Sequence, residues 1–293
     1  PRQTTDGGAS YAPHVGGSVF NTANALGRLG QDVGFFCGIS TDFFGEMLLE
    51  TLDASGVDTR LSPRPDRPTT LAFVKLTNGQ AEYLFYDENS AMRLLSEDDI
   101  PSLGGNIEAL FFGCISLAVE PCAATLETLL MREGDTRVTM IDPNIRTGFI
   151  QDEASYRARL DRMMAKADLI KVSDEDLHWL RGDGPSEEKA RELLDMGPAI
   201  VCVTEGSKGV TGFTQNDAVF VAAPQVTVVD TVGAGDTFNG GFLTGLKELG
   251  ALTKDSVHNL SPDQLEHALS LGARAAAITV GRAGANPPTR ADL

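Results

Sequence analysis

The sequence has few of the residues that build disulfide-stabilised or zinc-binding domains. It includes four cysteines and four histidines, with no CxxC pair and no cysteine–histidine cluster at zinc-binding spacing. Most of the cysteines lie within apolar runs such as VGFFCGI, LFFGCISL and AIVCVT, which is typical of buried thiols. We therefore expect reduced cysteines, and this favours a cytoplasmic protein.

Positive charge is also scarce. Lysine and arginine number 24 against 41 aspartates and glutamates, which gives a formal net charge of −17. No basic surface is therefore expected that could neutralise a nucleic-acid backbone or an anionic membrane. The sequence contains no apolar run of the ~18 residues that a membrane span needs, and no recognisable signal peptide. We expect neither nucleic acid nor membrane as a partner.

What the sequence does contain is an alternation of helical and strand patterns. Val19, Ala23, Leu26 and Leu29 recur at helical spacing, and a short buried-strand pattern follows at 32–39. Repeated βα units of this kind predict an α/β fold, with a mostly parallel sheet covered by helices on both faces. The predicted helices are 18–29, 42–55, 121–132, 153–167, 234–249 and 262–280; the predicted strands are 32–39, 109–114, 138–142, 168–172 and 199–204, with a β meander at 209–229.

A hairpin interrupts this alternation at 69–87. Two β-rich runs flank Asn78 and Gly79, the strongest short signal for a two-residue hairpin turn. Apolar side chains occupy both of its faces, so a fully solvated outer face is not expected. We therefore predict that the hairpin pairs with a second copy and that the protein is a homodimer.

A glycine-rich turn with an adjacent carboxylate is the strongest chemical signal. The stretch VTVVDTVGAGDTFNGGFLTGL predicts an apolar strand, a turn at Gly233, Ala234 and Gly235, and a helix from about Asp236. Such a turn leaves N–H groups unpaired at the positive end of a helix dipole, so it binds anions such as phosphate. Asp236 is then either a base that accepts the proton of an attacking hydroxyl or the helix N-cap.

Other phosphate and catalytic motifs are absent from the sequence. It has no Gly-Lys dipeptide, which excludes a GxxxxGK[ST] loop, and Phe238 stands where a dinucleotide fingerprint has its third glycine. HExxH and GxSxG are also missing.

Two segments resemble the signatures of a known family. DTVGAGDTFNGGF looks like the C-terminal signature of the ribokinase-like (PfkB) carbohydrate kinases, and GGSVFNTANALGRLG resembles their N-terminal signature. The resemblance covers nearly the whole chain. It implies a ribokinase-like fold, with a single α/β kinase domain over 1–293 and a β lid formed by 68–90 and part of 1–15. Family members begin with one more strand, so we expect a strand that precedes residue 1.

The resemblance also implies roles for single residues. Asp236 would be the base, while the N–H groups of Gly233, Ala234 and Gly235 would stabilise charge on the transferring phosphoryl group.

Sugar-binding residues follow in the same way. Gly16 and Gly17 would admit the sugar close to the backbone, and Asn21 would offer a donor and an acceptor to its hydroxyls. Arg146 would contact the phosphate end of the product. The alternatives are a hydrogen bond at the helix start for Asn21 and a structural ion pair for Arg146.

Nucleotide-binding residues are implied in VTEGSKGV, where Thr204, Gly206, Lys208 and Gly209 resemble the family's nucleotide-phosphate turn. A plain hairpin turn is the competing interpretation.

Metal-binding residues are implied at two places. The family uses an Asn-x-x-Glu element near Mg²⁺, and this chain reads SDED there, so Asp176 would hold Mg²⁺ through water. Asp230 and the carbonyl of Val232 would hold a monovalent cation such as K⁺. The alternative is that Asp230 only caps the turn.

These observations predict an ATP-dependent sugar kinase. The DPNxR element at 142–146 and the stretch YLFYDENSA look most like bacterial fructokinases, so fructose is the expected acceptor. A ketodeoxygluconate kinase or a ribokinase-type enzyme is the alternative within the family. A sugar- or nucleotide-binding protein without turnover is the alternative of a different class.

Overall fold

The structure, a computed structural model, describes residues 2–3, 9–77 and 80–293. The strands are β1 (Arg2–Gln3), β2 (Ala9–Ser10), β3 (Val33–Gly34), β4 (Val57–Asp58), β5 (Leu71–Thr77), β6 (Gln80–Tyr86), β7 (Ala109–Gly113), β8 (Val138–Asp142), β9 (Leu169–Ser173), β10 (Ile200–Thr204), β11 (Gly209–Phe213) and β12 (Ala218–Ala222). The helices are α1 (Ser18–Arg28), α2 (Phe43–Ala54), α3 (Cys122–Glu133), α4 (Glu153–Lys166), α5 (Asp174–Arg181), α6 (Ser186–Leu194), α7 (Ala234–Glu248), α8 (Lys254–Val257) and α9 (Pro262–Val280).

The central sheet has the strand order β12-β11-β10-β9-β8-β7. Strands β7 to β10 are parallel, whereas β11 and β12 are antiparallel additions at one edge. Matched register places Gly113 opposite Asp142 and Ser173 opposite Thr204, so the carboxyl ends of these strands meet along one side. Ligands of open α/β sheets bind on that side. The predicted fold class is confirmed.

Two hydrophobic clusters cover the two faces of the sheet. Ile170 and Val172 of β9 belong to the cluster formed with α3 to α6, whereas Leu169 belongs to the cluster formed with α7 and α9. Phe242 of α7 is fully buried in the second cluster, and burial of such a side chain stabilises a fold by about 1.5–3 kcal/mol. The alternation along β9 therefore fixes which side chains face α7.

The predicted hairpin is the two-stranded sheet β5–β6, in antiparallel register from Leu71 opposite Tyr86. Asn78 and Gly79, the predicted turn, lie outside the described residues. The exposed fractions of Leu84 and Tyr86 are 56% and 58%. The hairpin therefore presents apolar surface to the outside.

The base of this hairpin also contacts the rest of the chain. Phe85 packs on Phe149, with ring centroids 4.5 Å apart, and Tyr11 packs edge-on against Phe73 at 5.4 Å. Residues near the start of the chain thus lie beside the hairpin.

Two predicted strands are wrong in extent. Only β3 forms a strand within 32–39, because its partner β4 leads into a proline-containing loop, and Ile39 donates its N–H to the Pro63 carbonyl there. The stretch 226–230 forms no strand, because two of its N–H groups donate to the Val280 carbonyl at the end of α9. The predicted meander therefore ends with β12.

Small residues allow α7 to pack closely against two other helices. A Cβ added at Gly240 would lie 2.8 Å from the Cβ of Ala25 in α1, and one at Gly245 would lie 2.7 Å from the Cα of Ala268 in α9. Both distances are below ordinary contact between carbon atoms, about 3.5–4.0 Å. Gly240 therefore sets the spacing between α7 and α1, and Gly245 sets the spacing between α7 and α9.

The cysteines are free thiols. Burial raises the pKa of Cys37 to about 12 and that of Cys114 to about 11, so both stay protonated near neutral pH. Within the described ranges, no helix combines the length and the apolar character needed to cross a membrane.

Candidate active site

A cleft of about 1780 Å³ reaches the carboxyl ends of β7 and β8 and is bordered by α1, α7 and the β5–β6 hairpin. The candidate residues that line it are Gly16, Gly17, Asn21, Arg146, Val232, Gly233, Ala234, Gly235 and Asp236. The two predicted signatures, far apart in sequence, therefore share one cleft.

The glycine-rich turn provides unpaired donors at the start of α7. Gly233 is the N-cap and has a left-handed φ of 79°, and a Cβ there would lie 2.7 Å from the Cβ of Ala285. Among the described residues, the N–H groups of Gly233, Gly235 and Asp236 have no acceptor, and that of Ala234 makes only a long 3.3 Å bond to a carbonyl. This end of the helix is thus able to bind an anion.

Asp236 lies in the first turn of α7 and is 7% exposed. Ser18 donates its hydroxyl to Oδ1 at 2.6 Å, and Asn21 donates its amide to Oδ2 at 2.8 Å. The N-cap interpretation of Asp236 is wrong, because Gly233 holds that position and the carboxylate points toward α1 instead. Both carboxylate oxygens are thereby fixed beside the anion-binding turn.

The protonation of Asp236 reflects two opposing influences. Burial raises its pKa, the hydrogen bonds from Ser18 and Asn21 lower it, and the net shift is upward. A carboxylate with a raised pKa is a stronger base than an ordinary aspartate, which suits it to accept a proton.

Ser18 was missed by the sequence analysis, although it lies inside the N-terminal signature. Its hydroxyl also accepts a hydrogen bond from the Asn144 amide at 2.8 Å, and Asn144 adopts a left-handed φ of 41° after β8. A chain of hydrogen bonds thus runs from Asn144 through Ser18 to Asp236.

The remaining sugar-side candidates border the same cleft. Gly17 has a φ of 134°, which side-chain-bearing residues rarely adopt, and Gly16 is exposed beside it. Asn21 keeps its Oδ1 without a partner among the described residues, and its amide donates to Asp236 rather than to a group at the start of its own helix, α1. Arg146 donates to the carbonyl of Ile145 and joins no ion pair within the described part of the chain, so it is not a structural ion-pair residue.

A second polar group, which the sequence analysis did not identify, lies below α7. Lys171 on β9 donates to Oδ2 of Asp142 at 3.1 Å, and Asn239 donates to the same oxygen at 2.8 Å. Oδ1 of Asp142 is buried and has no hydrogen-bond partner. The signal was a lysine inside the apolar strand pattern DLIKV, because a charge at such a position requires a partner.

Asp176 lies at the start of α5, next to this group. Its N–H donates to Ser173, and its Oδ1 accepts the N–H of Ile145 at 3.2 Å. Burial raises its pKa, and the charge of Asp142 adds to the shift. The described residues contain no group of three or more His, Cys, Asp or Glu side chains that could hold a metal ion.

Asp230 caps the turn before α7, as the alternative interpretation stated. Its Oδ1 accepts the N–H of Val232 at 3.1 Å, and its Oδ2 accepts the N–H of Gly284 at 2.9 Å. These bonds lower its pKa, so the carboxylate stays ionised. Each oxygen retains a further lone pair.

The nucleotide-side candidates lie at the end of β10, outside the cleft lining. Thr204 donates to the Val172 carbonyl, and Lys208 pairs with Glu205 at 3.1 Å. Gly206 begins a short turn that connects two antiparallel strands. A Cβ at Gly209 would lie 2.1 Å from a carbonyl oxygen, so close packing requires a glycine there, as does its φ of 135°.

Comparison with known proteins gives a consistent picture. The family model described as pfkB family carbohydrate kinase matches residues 3–292. The chain is 51% identical, over 267 residues, to a fructokinase of Rhizobium leguminosarum bv. trifolii, covering 91% of this chain and 82% of that protein.

Solved structures with the same fold include fructokinase from Vibrio cholerae O395. Its form with fructose, ADP and calcium ion bound has a TM-score of 0.82 at 28% identity, covering 92% of this chain and 86% of that one. A double mutant with fructose, ADP and potassium ion bound has a TM-score of 0.81 at 27% identity, with the same coverage. The chain belongs to the PfkB family of carbohydrate kinases, and it is a phosphotransferase that acts on a sugar hydroxyl.

Proposed function

We propose that this chain is an ATP-dependent fructokinase that phosphorylates a hydroxymethyl group of fructose. The geometry of Asp236 carries the proposal, because a buried carboxylate held by two donors stands beside the unpaired N–H groups of an anion-binding turn. The 51% identity with a fructokinase supports fructose as the acceptor.

Asp236 acts as the general base. It accepts the proton of the sugar hydroxyl while the hydroxyl oxygen forms a bond to the γ-phosphorus of ATP. The bond from that phosphorus to the bridging oxygen breaks, and ADP leaves with the electron pair. Ser18 and Asn21 keep the carboxylate in place, and a positioned base of this kind typically contributes about 10²–10⁴-fold in rate.

The first turn of α7 stabilises the transferring group. Negative charge on the phosphoryl oxygens is met by the N–H groups of Gly233, Ala234 and Gly235 and by the positive end of the helix dipole. The nearby N–H of Asp236 adds a further donor, which the sequence analysis did not include. Because these donors are fixed by the backbone, they need no rearrangement during the reaction.

ATP lies along the carboxyl ends of β8 to β10 in this proposal, with its phosphates toward α7. Thr204, Gly206, Lys208 and Gly209 border that path, and Lys208 contributes positive charge at its outer end. Mg²⁺ neutralises the phosphate oxygens when it is bound. A single protein carboxylate, Asp176, fits a metal that keeps most of its water and phosphate ligands, as Mg²⁺ commonly does.

A monovalent cation fits beside the same turn. The free lone pairs of Asp230 and the carbonyl of Val232 are hard oxygen ligands close to the N-terminus of α7. We therefore propose K⁺ as an activator that keeps the turn in its anion-binding shape.

The hairpin β5–β6 covers the sugar, and Gly16, Gly17, Asn21 and Arg146 contact it. Closure over the cleft would exclude water, which competes with the sugar as an acceptor. The apolar outer face of the hairpin supports a homodimer, and the free thiols support a cytoplasmic location.

The test measures ADP formation with fructose, ketodeoxygluconate, ribose and no sugar, at fixed Mg²⁺. We expect the highest kcat/KM with fructose. Turnover that is faster with another sugar would contradict the fructokinase assignment, and the absence of ADP formation with every sugar would favour a binding protein without turnover.

The base is tested by Asp236→Asn, with the exposed Asp263→Asn in the first turn of α9 as the matched control. We expect kcat to fall by at least 10²-fold in the first variant and to stay unchanged in the second, with ADP affinity preserved in both. Normal turnover by Asp236→Asn would exclude Asp236 as the base.

A further inference from the structure

Lys171 is unusual in its burial. Its exposed fraction is 5%, and no other lysine or arginine among the described residues is in the buried class. It extends from β9 to the side of the sheet that faces α7, where Leu169 belongs to the apolar cluster. An ammonium group in such surroundings is costly unless it is paired and hydrogen-bonded.

The pairing of Lys171 is incomplete. An ammonium has three donors, yet within the described part of the chain Lys171 makes one hydrogen bond, to Oδ2 of Asp142. Asp142 is fully buried, and Asn239 fixes the same oxygen from α7. Lys171 is therefore anchored on one side and keeps donors for another partner.

The free side of the ammonium faces the anion-binding turn. A Cβ added at Gly235 would lie 3.2 Å from Nζ of Lys171, so the lack of a side chain at Gly235 leaves this space open. Lys171 also lines the cleft, together with Gly235 and Asp236. Its ammonium thus lies directly beneath the first turn of α7.

The charges around Lys171 are mostly negative. Burial lowers its pKa, but the charge and hydrogen bond of Asp142, together with the charges of Asp176 and Asp236, raise it, and the net shift is upward. Lysine therefore remains charged at neutral pH. A phosphoryl group that enters beside these carboxylates meets repulsion, which a neighbouring ammonium offsets.

We propose that Lys171 is a further catalytic residue, whose ammonium, anchored by Asp142, contacts the phosphoryl group as it moves from ATP to the sugar. The inference rests on the proposed function. Lys171 keeps its proton throughout: the sugar oxygen bonds to phosphorus, the bridging oxygen leaves with ADP, and the hydroxyl proton goes to Asp236. The ammonium supplies positive charge from the side of the sheet, opposite the backbone N–H groups.

The test compares wild type, Lys171→Met, Asp142→Asn and the double variant. Methionine has a similar length without charge, and the double variant removes both members of the ion pair, so that no buried charge is left unpaired. The measurements are kcat and KM for fructose, and the affinity for MgADP with and without aluminium fluoride, which mimics the transferring phosphoryl group.

We expect the double variant to have a kcat about 10²-fold or more below that of Asp142→Asn, as loss of one stabilising donor typically causes. Its affinity for MgADP alone should stay within threefold, while the gain from aluminium fluoride is lost. If Lys171 serves only as a counter-ion of Asp142, the double variant will match or exceed Asp142→Asn in both measurements, and the proposal is overturned.

The two proposals fail in different ways. A wild-type protein that prefers another sugar contradicts the fructose assignment, and Lys171 is then tested with that sugar. Aluminium fluoride binding needs no turnover, so it decides the role of Lys171 even where no sugar is phosphorylated.

Discussion

The spacing between α1 and α7 sets the position of Asp236, the proposed base, and Gly240→Ala tests this directly. Gly240 lies one turn after Asp236, and a Cβ there would lie 2.8 Å from the Cβ of Ala25. Ordinary contact needs about 3.5–4.0 Å, so the helices must separate locally by about 0.7–1.2 Å.

That separation is enough to weaken both bonds to the base. Ser18 and Asn21 lie on α1, at 2.6 Å and 2.8 Å from the Asp236 oxygens. A shift of about 1 Å takes such contacts out of good hydrogen-bond range, and misplacement on this scale costs about 10²-fold in rate. Overpacking costs about 1–3 kcal/mol of stability, of which the better helix propensity of alanine returns about 1 kcal/mol.

The matched control is Gly245→Ala, which overpacks the same helix against Ala268 of α9. It lies nine residues, or about 13.5 Å, from Asp236, and it faces away from α1. We expect both variants to lose similar stability in thermal unfolding, but only Gly240→Ala to lose kcat by about 10²-fold. Equal kcat losses in the two variants would show that general destabilisation, not the position of the base, is responsible.

Three further predictions concern protonation, cation binding and assembly. The proposed base must be ionised and burial raises the pKa of Asp236, so kcat/KM should fall with decreasing pH at a pH above the ~3.9 of an ordinary aspartate. Ser18→Ala removes a hydrogen-bond donor that stabilises the ionised carboxylate, so it should shift this acidic limb of the pH–rate profile further upward, and a limb that does not move contradicts the assignment. Asp230→Ala should abolish stimulation by KCl relative to tetramethylammonium chloride, and persistent stimulation would place the cation elsewhere. Leu84→Lys charges the outer face of the hairpin and should yield monomers in light scattering, whereas an unchanged dimer mass would exclude that face as the interface.

Local signals explain most of what the sequence predicted. The fold class follows from the alternation of strand and helix patterns, and the glycine-rich turn marks the start of α7, because Gly233 adopts a left-handed φ there that glycine tolerates. The apolar strand predicted before Gly233, within 226–230, does not form, because its partner is distant in sequence. Its apolar residues suit a strand, but the backbone partner is the end of α9, which no local pattern reveals.

The missed site residues depend on contacts distant in sequence. Ser18 bonds to Asp236 across 218 residues, and Asn239 bonds to Asp142 across 97. Serine is common at helix starts for capping alone, and Asn239 lies inside α7, where no local pattern reveals its partner, so residue type could not distinguish these roles. Lys171 was also missed, but it did have a local signal, because a charged residue within a buried strand is unusual.

The bond between Ser18 and Asp236 links an early helix to a late one, and this has a consequence during synthesis. While the chain is being made, α1 emerges long before Asp236, the proposed base, whose carboxylate it will orient. Until α7 has emerged and packed against α1, Ser18 and Asn21 have no Asp236 carboxylate to hold, even if the first half of the chain is already folded. Under the proposed mechanism, phosphoryl transfer is therefore expected only after α1 and α7 have both been made and have packed together.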